Sequence, residues 1–238
     1  MKDKPALSII ILCYRSNESI INFAEEVKNL AQELTESFEI ILVGNYIEGS
    51  DDRTEAIVKD IVSRNPVFKA VCKPKKGMMG WDMKEGLKMA EGELLCVIDG
   101  DSQFPIENIT KGYRIISSDP TLGLVKTFRT KRGDGIYRTG ISKVYNWIFS
   151  LLFPRVKSKD INSKPKLFTR EVYDQMVLTS DDWFIDAEIM LNIERLKIKF
   201  LEIPTHFLEL EGRSSFVNFS SVLEFMKNLV LFKIRRWK

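Results

Sequence analysis

The run Leu94-Leu95-Cys96-Val97-Ile98 is apolar at every position and stops on Asp99-Gly100-Asp101. A short unbroken apolar run closed by a turn signal reads as a strand covered on both faces, as in a parallel sheet. Side chains alternate along an extended chain, so Asp99 and Asp101 project to the same side. Open α/β sheets bind ligands at the carboxyl ends of their strands, where this pair would sit. Two hard oxygen ligands suit a divalent cation that keeps further positions for water and phosphate oxygens. The plainer alternative is an Asp-Gly turn with both carboxylates solvated.

The rest of the first half repeats the pattern. Strands are expected at residues 7–13, 38–43 and 68–72, with amphipathic helices at 16–36, 54–63 and 81–90 between them. Alternation of strand and helix with short connections means a doubly wound, mostly parallel sheet with helices on both faces. Right-handed crossovers bring the ends of the first and fourth strands around one crevice. Beyond Asp101 the alternation breaks. A helix at 106–117, a strand at 122–127, a short strand at 166–168, helices from 170 and at 185–196, and a strand at 198–203 follow. An apolar-rich helix at 220–238 closes the chain.

Composition narrows the chemistry. The net charge is only +3 over 238 residues, so no global basic field points to nucleic acid. His206 is the single histidine, which argues against histidine metal clusters and Ser-His-Asp or Cys-His catalysis. Carboxylates, cations and a metal are left to act. Cys13, Cys72 and Cys96 lack Cys-x-x-Cys spacing and are expected to be reduced and buried, in keeping with a cytosolic compartment. The sequence has no run of eighteen apolar residues, so no bilayer-spanning helix is expected in it.

Several short patterns occur in order between residue 7 and about residue 216. They are Cys13-Tyr14-x-x-Asn17-Glu18, Gly80-x5-Gly86-Leu87, Asp99-Gly100-Asp101-x-Gln103-x-Pro105 and Arg129-x-x-Arg132. Asp160, Phe168-x-Arg170, Asp186-x-Glu188, Glu202-x-Pro204 and Gly212-x-Ser214 follow. Together they resemble a family 2 glycosyltransferase of the GT-A fold, and within it the dolichyl- or polyprenyl-phosphate sugar synthases. No internal repeat, low-complexity tract or linker divides the sequence, so one domain over 1–238 is expected. By the resemblance, residues 1–105 form a nucleotide-sugar-binding half, 106–219 an acceptor half, and 220–238 an amphipathic, membrane-interfacial helix. The resemblance also implies inverting transfer of a sugar from a nucleotide diphosphate, with Mg2+ or Mn2+ on Asp101 supported by Asp99 and Gln103. Cys13, Arg15, Glu18 and Asn45 are expected around the nucleoside. Lys76, with Lys73 and Lys75, either steers the anionic donor or is a solvated charge run.

Two positions depart from the family pattern. Its second strand ends in consecutive aspartates, one of which holds the base, where this chain has Val43-Gly44-Asn45. Asn45 can still offer a base edge one donor and one acceptor. The loop into the third helix carries small residues in the family and Trp81-Asp82 here.

For the acceptor, a hydroxyl needs a general base, whereas a phosphate arrives ionised and needs cations. Arg129, Arg132, Arg138 and Ser142 lie beside the apolar stretch 144–153 and fit a phosphate with a lipid tail. The alternative is salt bridging of these arginines to acids such as Asp134. By resemblance, Asp186 and Glu188 face the reacting centre, and Asp160, Arg170 and Arg213 join the substrate contacts. Residues 145–153 and 222–237 are either packed core or interfacial helices with Trp147, Trp237 and the basic tail as anchors. The expected partners are a nucleotide-diphosphate sugar, a polyprenyl phosphate and the cytoplasmic face of a membrane, with homo-oligomerisation left open. Rival readings are transfer to a glycan hydroxyl with Asp186 or Glu188 as base, a catalytically silent nucleotide-sugar binder, and a membrane-surface module.

Overall fold

A computed structural model describes residues 4–132, 136–208, 227–229 and 232. The strands are β1 (Leu7–Leu12), β2 (Phe38–Val43), β3 (Phe68–Val71), β4 (Leu94–Asp99), β5 (Leu122–Arg132), β6 (Lys166–Thr169) and β7 (Lys199–Phe207). The helices are α1 (Ser19–Leu34), α2 (Thr54–Arg64), α3 (Met79–Met89), α4 (Glu107–Ser118), α5 (Ile136–Leu152), α6 (Arg170–Gln175) and α7 (Ile185–Arg195).

The strands form one sheet in the order β3-β2-β1-β4-β6-β5-β7. β1 runs parallel to both β2 and β4, with Leu12 opposite Asp99, so their carboxyl ends open into the same crevice. β6 is antiparallel between β4 and β5, and β7 pairs parallel with β5 at the edge. This is the expected GT-A-type, Rossmann-like architecture.

Each central strand feeds both faces because its side chains alternate. Ile10, Leu12, Ile41, Val43, Leu95 and Val97 pack with Met83 and Leu87 of α3, Phe149 of α5 and Ile189 of α7. Ile9, Ile11, Ile40, Leu42, Cys96 and Ile98 pack on the other side with Phe23 and Val27 of α1, Val58 of α2 and Ile109 of α4. The three cysteines are free, and burial pushes the Cys72 thiol up to about 11.

Two strands run further than the sequence pattern predicts. β5 continues through the cationic segment to Arg132, and β7 reaches Phe207 although it contains Pro204. An edge strand tolerates proline, because no ladder bond is required on its outer side.

Candidate active site

The turn after β4 is built by close approach. Gly100 donates its N–H to the Leu12 carbonyl at 2.9 Å, and a Cβ there would lie 3.0 Å from Ile11 and Ile20 side-chain carbons. Ser102 takes a left-handed φ of 59°, and the Gln103 N–H donates to Asp101 Oδ1 at 3.1 Å. Gln103 Nε2 donates to the Leu208 carbonyl at 3.3 Å, tying the turn to the end of β7. Among the described residues no three His, Cys, Asp or Glu side chains gather as a metal site. Two carboxylates and an amide at a strand end nonetheless match an oxygen-ligated cation that takes water and phosphate for its other positions.

On the β1–β2 side the residues expected around a nucleoside have distinct surroundings. Cys13 is buried and its thiol donates to the Ile11 carbonyl at 3.2 Å. Arg15 is exposed, with a left-handed φ of 54° and its guanidinium 5.6 Å from the Tyr14 ring centroid. Glu18 is exposed and pairs with Arg53 at 2.7 Å. Asn45 is fully buried; its Nδ2 donates to Asp82 Oδ1 at 2.9 Å and its Oδ1 accepts the Lys73 N–H at 2.9 Å. Its amide therefore positions Asp82 in this arrangement rather than facing open space. Asp82 also pairs with Lys75, whose ammonium lies 4.1 Å from the Tyr14 centroid. Burial pushes the Asp82 carboxyl up, against the opposing pull of Lys75 and Asn45. Lys73 pairs with Glu85 at 2.6 Å, and Lys76 is exposed.

At the centre, α7 carries Asp186 and Glu188 to different places, because residues two apart on a helix are about 200° apart around it. Asp186 is fully buried, with Lys166 Nζ 2.5 Å from Oδ1 and Lys164 Nζ 3.2 Å from Oδ2. Burial disfavours its charge, but the two ammonium groups outweigh that and hold the carboxyl below its usual range. Lys164 also reaches Asp99 Oδ1 at 3.4 Å, joining α7 to the end of β4. Glu188 instead accepts the N–H groups of Thr179 and Ser180 at 2.9–3.0 Å and the Thr179 hydroxyl at 2.6 Å. That loop meets the start of α3: the Asp181 carbonyl accepts from Met78 and Trp81, and the Asp182 carbonyl from Gly80. Gly80 is required there, since a Cβ would sit 2.5 Å from the Asp182 carbonyl oxygen.

On the β5 side Arg129 pairs with Asp160 rather than with an acid nearby in sequence. Its Nε donates to Oδ2 at 2.6 Å and its Nη2 to Oδ1 at 2.8 Å. Burial works against the Asp160 charge; Arg129 and Lys126 more than offset it and hold the carboxyl at about 2. Glu202 fixes the same loop by accepting from Lys126 at 3.0 Å, from the Ser158 hydroxyl at 2.6 Å and from the Lys159 N–H at 2.9 Å. Arg129, Asp160 and Glu202 thus form one buried cluster. Ser142 is partly buried in α5, four residues after Arg138 on the same helix. The side chains of Arg132 and Arg138, and Arg213 altogether, lie outside the described residues.

Arg170 is not brought to this crevice. Its guanidinium donates to the Gly92 and Ala90 carbonyls at 3.1 and 2.6 Å, between the end of α3 and the start of β4. The reason is register: Thr169 lies opposite Leu94, the first residue of β4, at the sheet end opposite Asp99.

Lys126, Lys164, Lys166 and Asp82 belong to the site and escape a sequence reading. The available signal was lysine at the start of a short strand whose next two residues are apolar, which demands a buried counter-charge.

The family described as Glycosyl transferase family 2 matches residues 8–184. Curated relatives include the undecaprenyl-phosphate 4-deoxy-4-formamido-L-arabinose transferases of Salmonella choleraesuis and Salmonella typhimurium. Each is 25% identical over 228 residues, covering 94% of this chain and 66% of the relative. The chain therefore spans just under two thirds of the length of these relatives. Glucosyl-3-phosphoglycerate synthase from Mycobacterium tuberculosis, crystallised with phosphoglyceric acid, superposes with a TM-score of 0.73 at 14% identity over 96% of this chain and 79% of that one. The same enzyme with Mn2+, uridine diphosphate and phosphoglyceric acid gives 0.72 at 14% identity over 95% and 76%. At that identity the likeness is one of fold. The family match runs from β1 to the residue before α7, most of the sheet and the crevice above it, and this chain belongs to glycosyl transferase family 2.

Proposed function

We propose that the protein transfers a sugar from a nucleotide diphosphate to a polyprenyl phosphate, with inversion and with a divalent cation held by Asp101 and Asp99, and by Gln103. A Mg2+ or Mn2+ there supplies Lewis-acid charge to the leaving diphosphate. The Mn2+ and uridine diphosphate in the M. tuberculosis enzyme's complex support that choice of donor class and metal.

The observation that carries the acceptor reading is the engagement of Asp186. Each of its carboxylate oxygens faces a lysine ammonium, and its affinity for a proton is lowered. Such a carboxylate is a weak general base, and a hydroxyl acceptor needs a good one. Glu188 is held by the Thr179–Ser180 backbone, which supports a role in fixing the loop against α3. A phosphate monoester arrives ionised and makes no such demand. Arg129 is taken up by Asp160, so the names of the Salmonella relatives are what supports an undecaprenyl-phosphate-like acceptor.

α5 supports a membrane-surface site. Tyr145, Phe149 and Phe153 pack inward, while Val144, Trp147 and Leu151 are 55%, 64% and 66% exposed along one apolar row. Exposed Lys143, Arg155 and Lys157 flank it, a combination suited to an anionic lipid surface. Among the described residues no helix is long and apolar enough to cross a membrane. Of the expected C-terminal helix, residues 227–229 and 232 are described: Asn228 donates to Asp182, Leu229 is buried, and Phe232 packs against Phe153 and Phe184 at 6.4 and 5.3 Å between centroids.

The test offers the purified protein a nucleotide-sugar panel with either a polyprenyl phosphate or the matching polyprenol. Turnover of the phosphate alone is the expected result. Transfer to a glycan hydroxyl and to neither lipid would overturn the acceptor reading.

A further inference from the structure

Lys164 has only 2% of its side chain exposed, yet its ammonium touches two carboxylates from different elements. Asp186 Oδ2 lies at 3.2 Å and Asp99 Oδ1 at 3.4 Å, with Met79 Sδ at 3.2 Å as its third neighbour. A buried ammonium needs an anionic partner. Asp186 already has one in Lys166, whose other contact is the Ser163 carbonyl. One lysine would neutralise Asp186. The second therefore brings its charge to the end of β4, where Asp99 is still 26% exposed.

The local charges make the consequence concrete. Among the described residues, the two ammonium groups of Lys164 and Lys166 meet the two carboxylates of Asp186 and Asp99, so Lys164 supplies the charge that neutralises Asp99. Without Lys164 the Asp99 carboxylate would lose that ammonium. We infer that Lys164 is a positioning residue that acts as the internal counter-cation of Asp99. It ties that carboxylate to Asp186 at the start of α7 and keeps the pair Asp99/Asp101 a weak cation site until a diphosphate adds its own negative charge. The divalent cation then arrives with its anionic ligand rather than before it. Lys166 cannot do this, because among its described contacts it reaches Asp186 and not Asp99.

The measurement is Mn2+ binding to nucleotide-free protein, read from the loss of the free-Mn2+ EPR signal. Lys164→Gln keeps a hydrogen-bond donor for both carboxylates and removes the charge. It should tighten Mn2+ binding about tenfold, as removal of a like charge a few ångströms away in a partly hydrated crevice requires. Lys164→Arg keeps the charge and should stay within about twofold of the native protein. Lys166→Gln imposes the same loss on Asp186 without touching Asp99, and should move binding less than about threefold. Equal or weaker binding by Lys164→Gln, or equal tightening by Lys166→Gln, overturns the inference. If Lys164→Gln does not fold, the substitution is made in an Asp186→Asn background, where no buried carboxylate loses its partner; Mn2+ binding tighter than that of Asp186→Asn alone supports the inference and equal binding overturns it. The inference rests on Asp99 and Asp101 as cation ligands. Failure of the native protein to take up Mn2+ even with uridine diphosphate present removes that reading and the inference together. Uptake indifferent to Lys164 removes the inference alone.

Discussion

Replacing Asp160 with Asn should destabilise the protein and remove part of its acid sensitivity. Asp160 is 5% exposed and accepts from Arg129 Nε at 2.6 Å, Nη2 at 2.8 Å and the backbone N–H at 3.2 Å. Its carboxyl is held at about 2 against an ordinary 3.8, because Arg129 and Lys126 outweigh the opposing effect of burial. At about 1.4 kcal/mol per pH unit, that gap corresponds to about 2 kcal/mol of native-state stability. The folded-state value lies below the unfolded one. The contribution is therefore complete above the unfolded value, near pH 4, and is lost as the pH falls toward 2. Asparagine keeps the shape but not the charge, and leaves the Arg129 guanidinium, 8% exposed, without its carboxylate. Breaking a buried pair from one side costs roughly 3–5 kcal/mol. Urea unfolding followed by tryptophan fluorescence should show Asp160→Asn less stable by about 3 kcal/mol at pH 7. The difference from the native protein should narrow by about 2 kcal/mol between pH 5 and pH 2. A gap that stays constant over that range would refute the argument, because Asp160 would then have the same proton affinity folded and unfolded.

Gly80→Ala places a Cβ 2.5 Å from the Asp182 carbonyl oxygen, and forcing the loop off α3 should cost about 1–3 kcal/mol in a thermal or urea melt. Lys75→Met breaks the pair with Asp82 from one side, at 7% and 5% exposure, and should destabilise by about 3–5 kcal/mol, with Lys75→Arg recovering part of it. Trp147→Ser combined with Leu151→Ser alters two side chains that are 64% and 66% exposed. It should leave unfolding within about 0.5 kcal/mol of native while weakening sedimentation with anionic vesicles at least about tenfold; undiminished vesicle binding would move the lipid contact away from α5.

The first half of the fold was legible because each element there is simple. β1, β2 and β4 are almost wholly buried, so their apolar runs announce parallel strands, and α1 shows its inward face as Ile20, Phe23, Ala24, Val27 and Ala31. The second half was harder for a physical reason. β5 carries Lys126, Arg129, Lys131 and Arg132, and a strand whose charges are neutralised by partners distant in sequence has no apolar periodicity to read. Lys126 is neutralised by Glu202, 76 residues away, and Arg129 by Asp160, 31 residues away. The cationic segment that suggested an exposed anion-binding surface is in part the inside of a sheet.

The site follows the same rule: local spacing could be read and long-range pairing could not. Asp99 and Asp101 announce themselves by alternation after a buried strand. Lys164 and Lys166, one just before β6 and one at its start, give no such local signal, yet both converge on Asp186. Register supplies the reason, since Lys166 lies opposite Lys126 in the β5–β6 pair, and two buried ammonium groups on adjacent strands require carboxylates from elsewhere. α7 and β7 supply them as Asp186 and Glu202. The departures at Asn45 and Asp82 are one contact, 37 residues apart in sequence and 2.9 Å apart in space. Where the family places an acid at the end of the second strand, this chain places an amide there and an acid on the facing helix. That acid is buried and is neutralised by Lys75. Read along β2, Asn45 is a lone amide at a strand end; in the fold it is one half of a buried amide–carboxylate contact that joins β2 to α3.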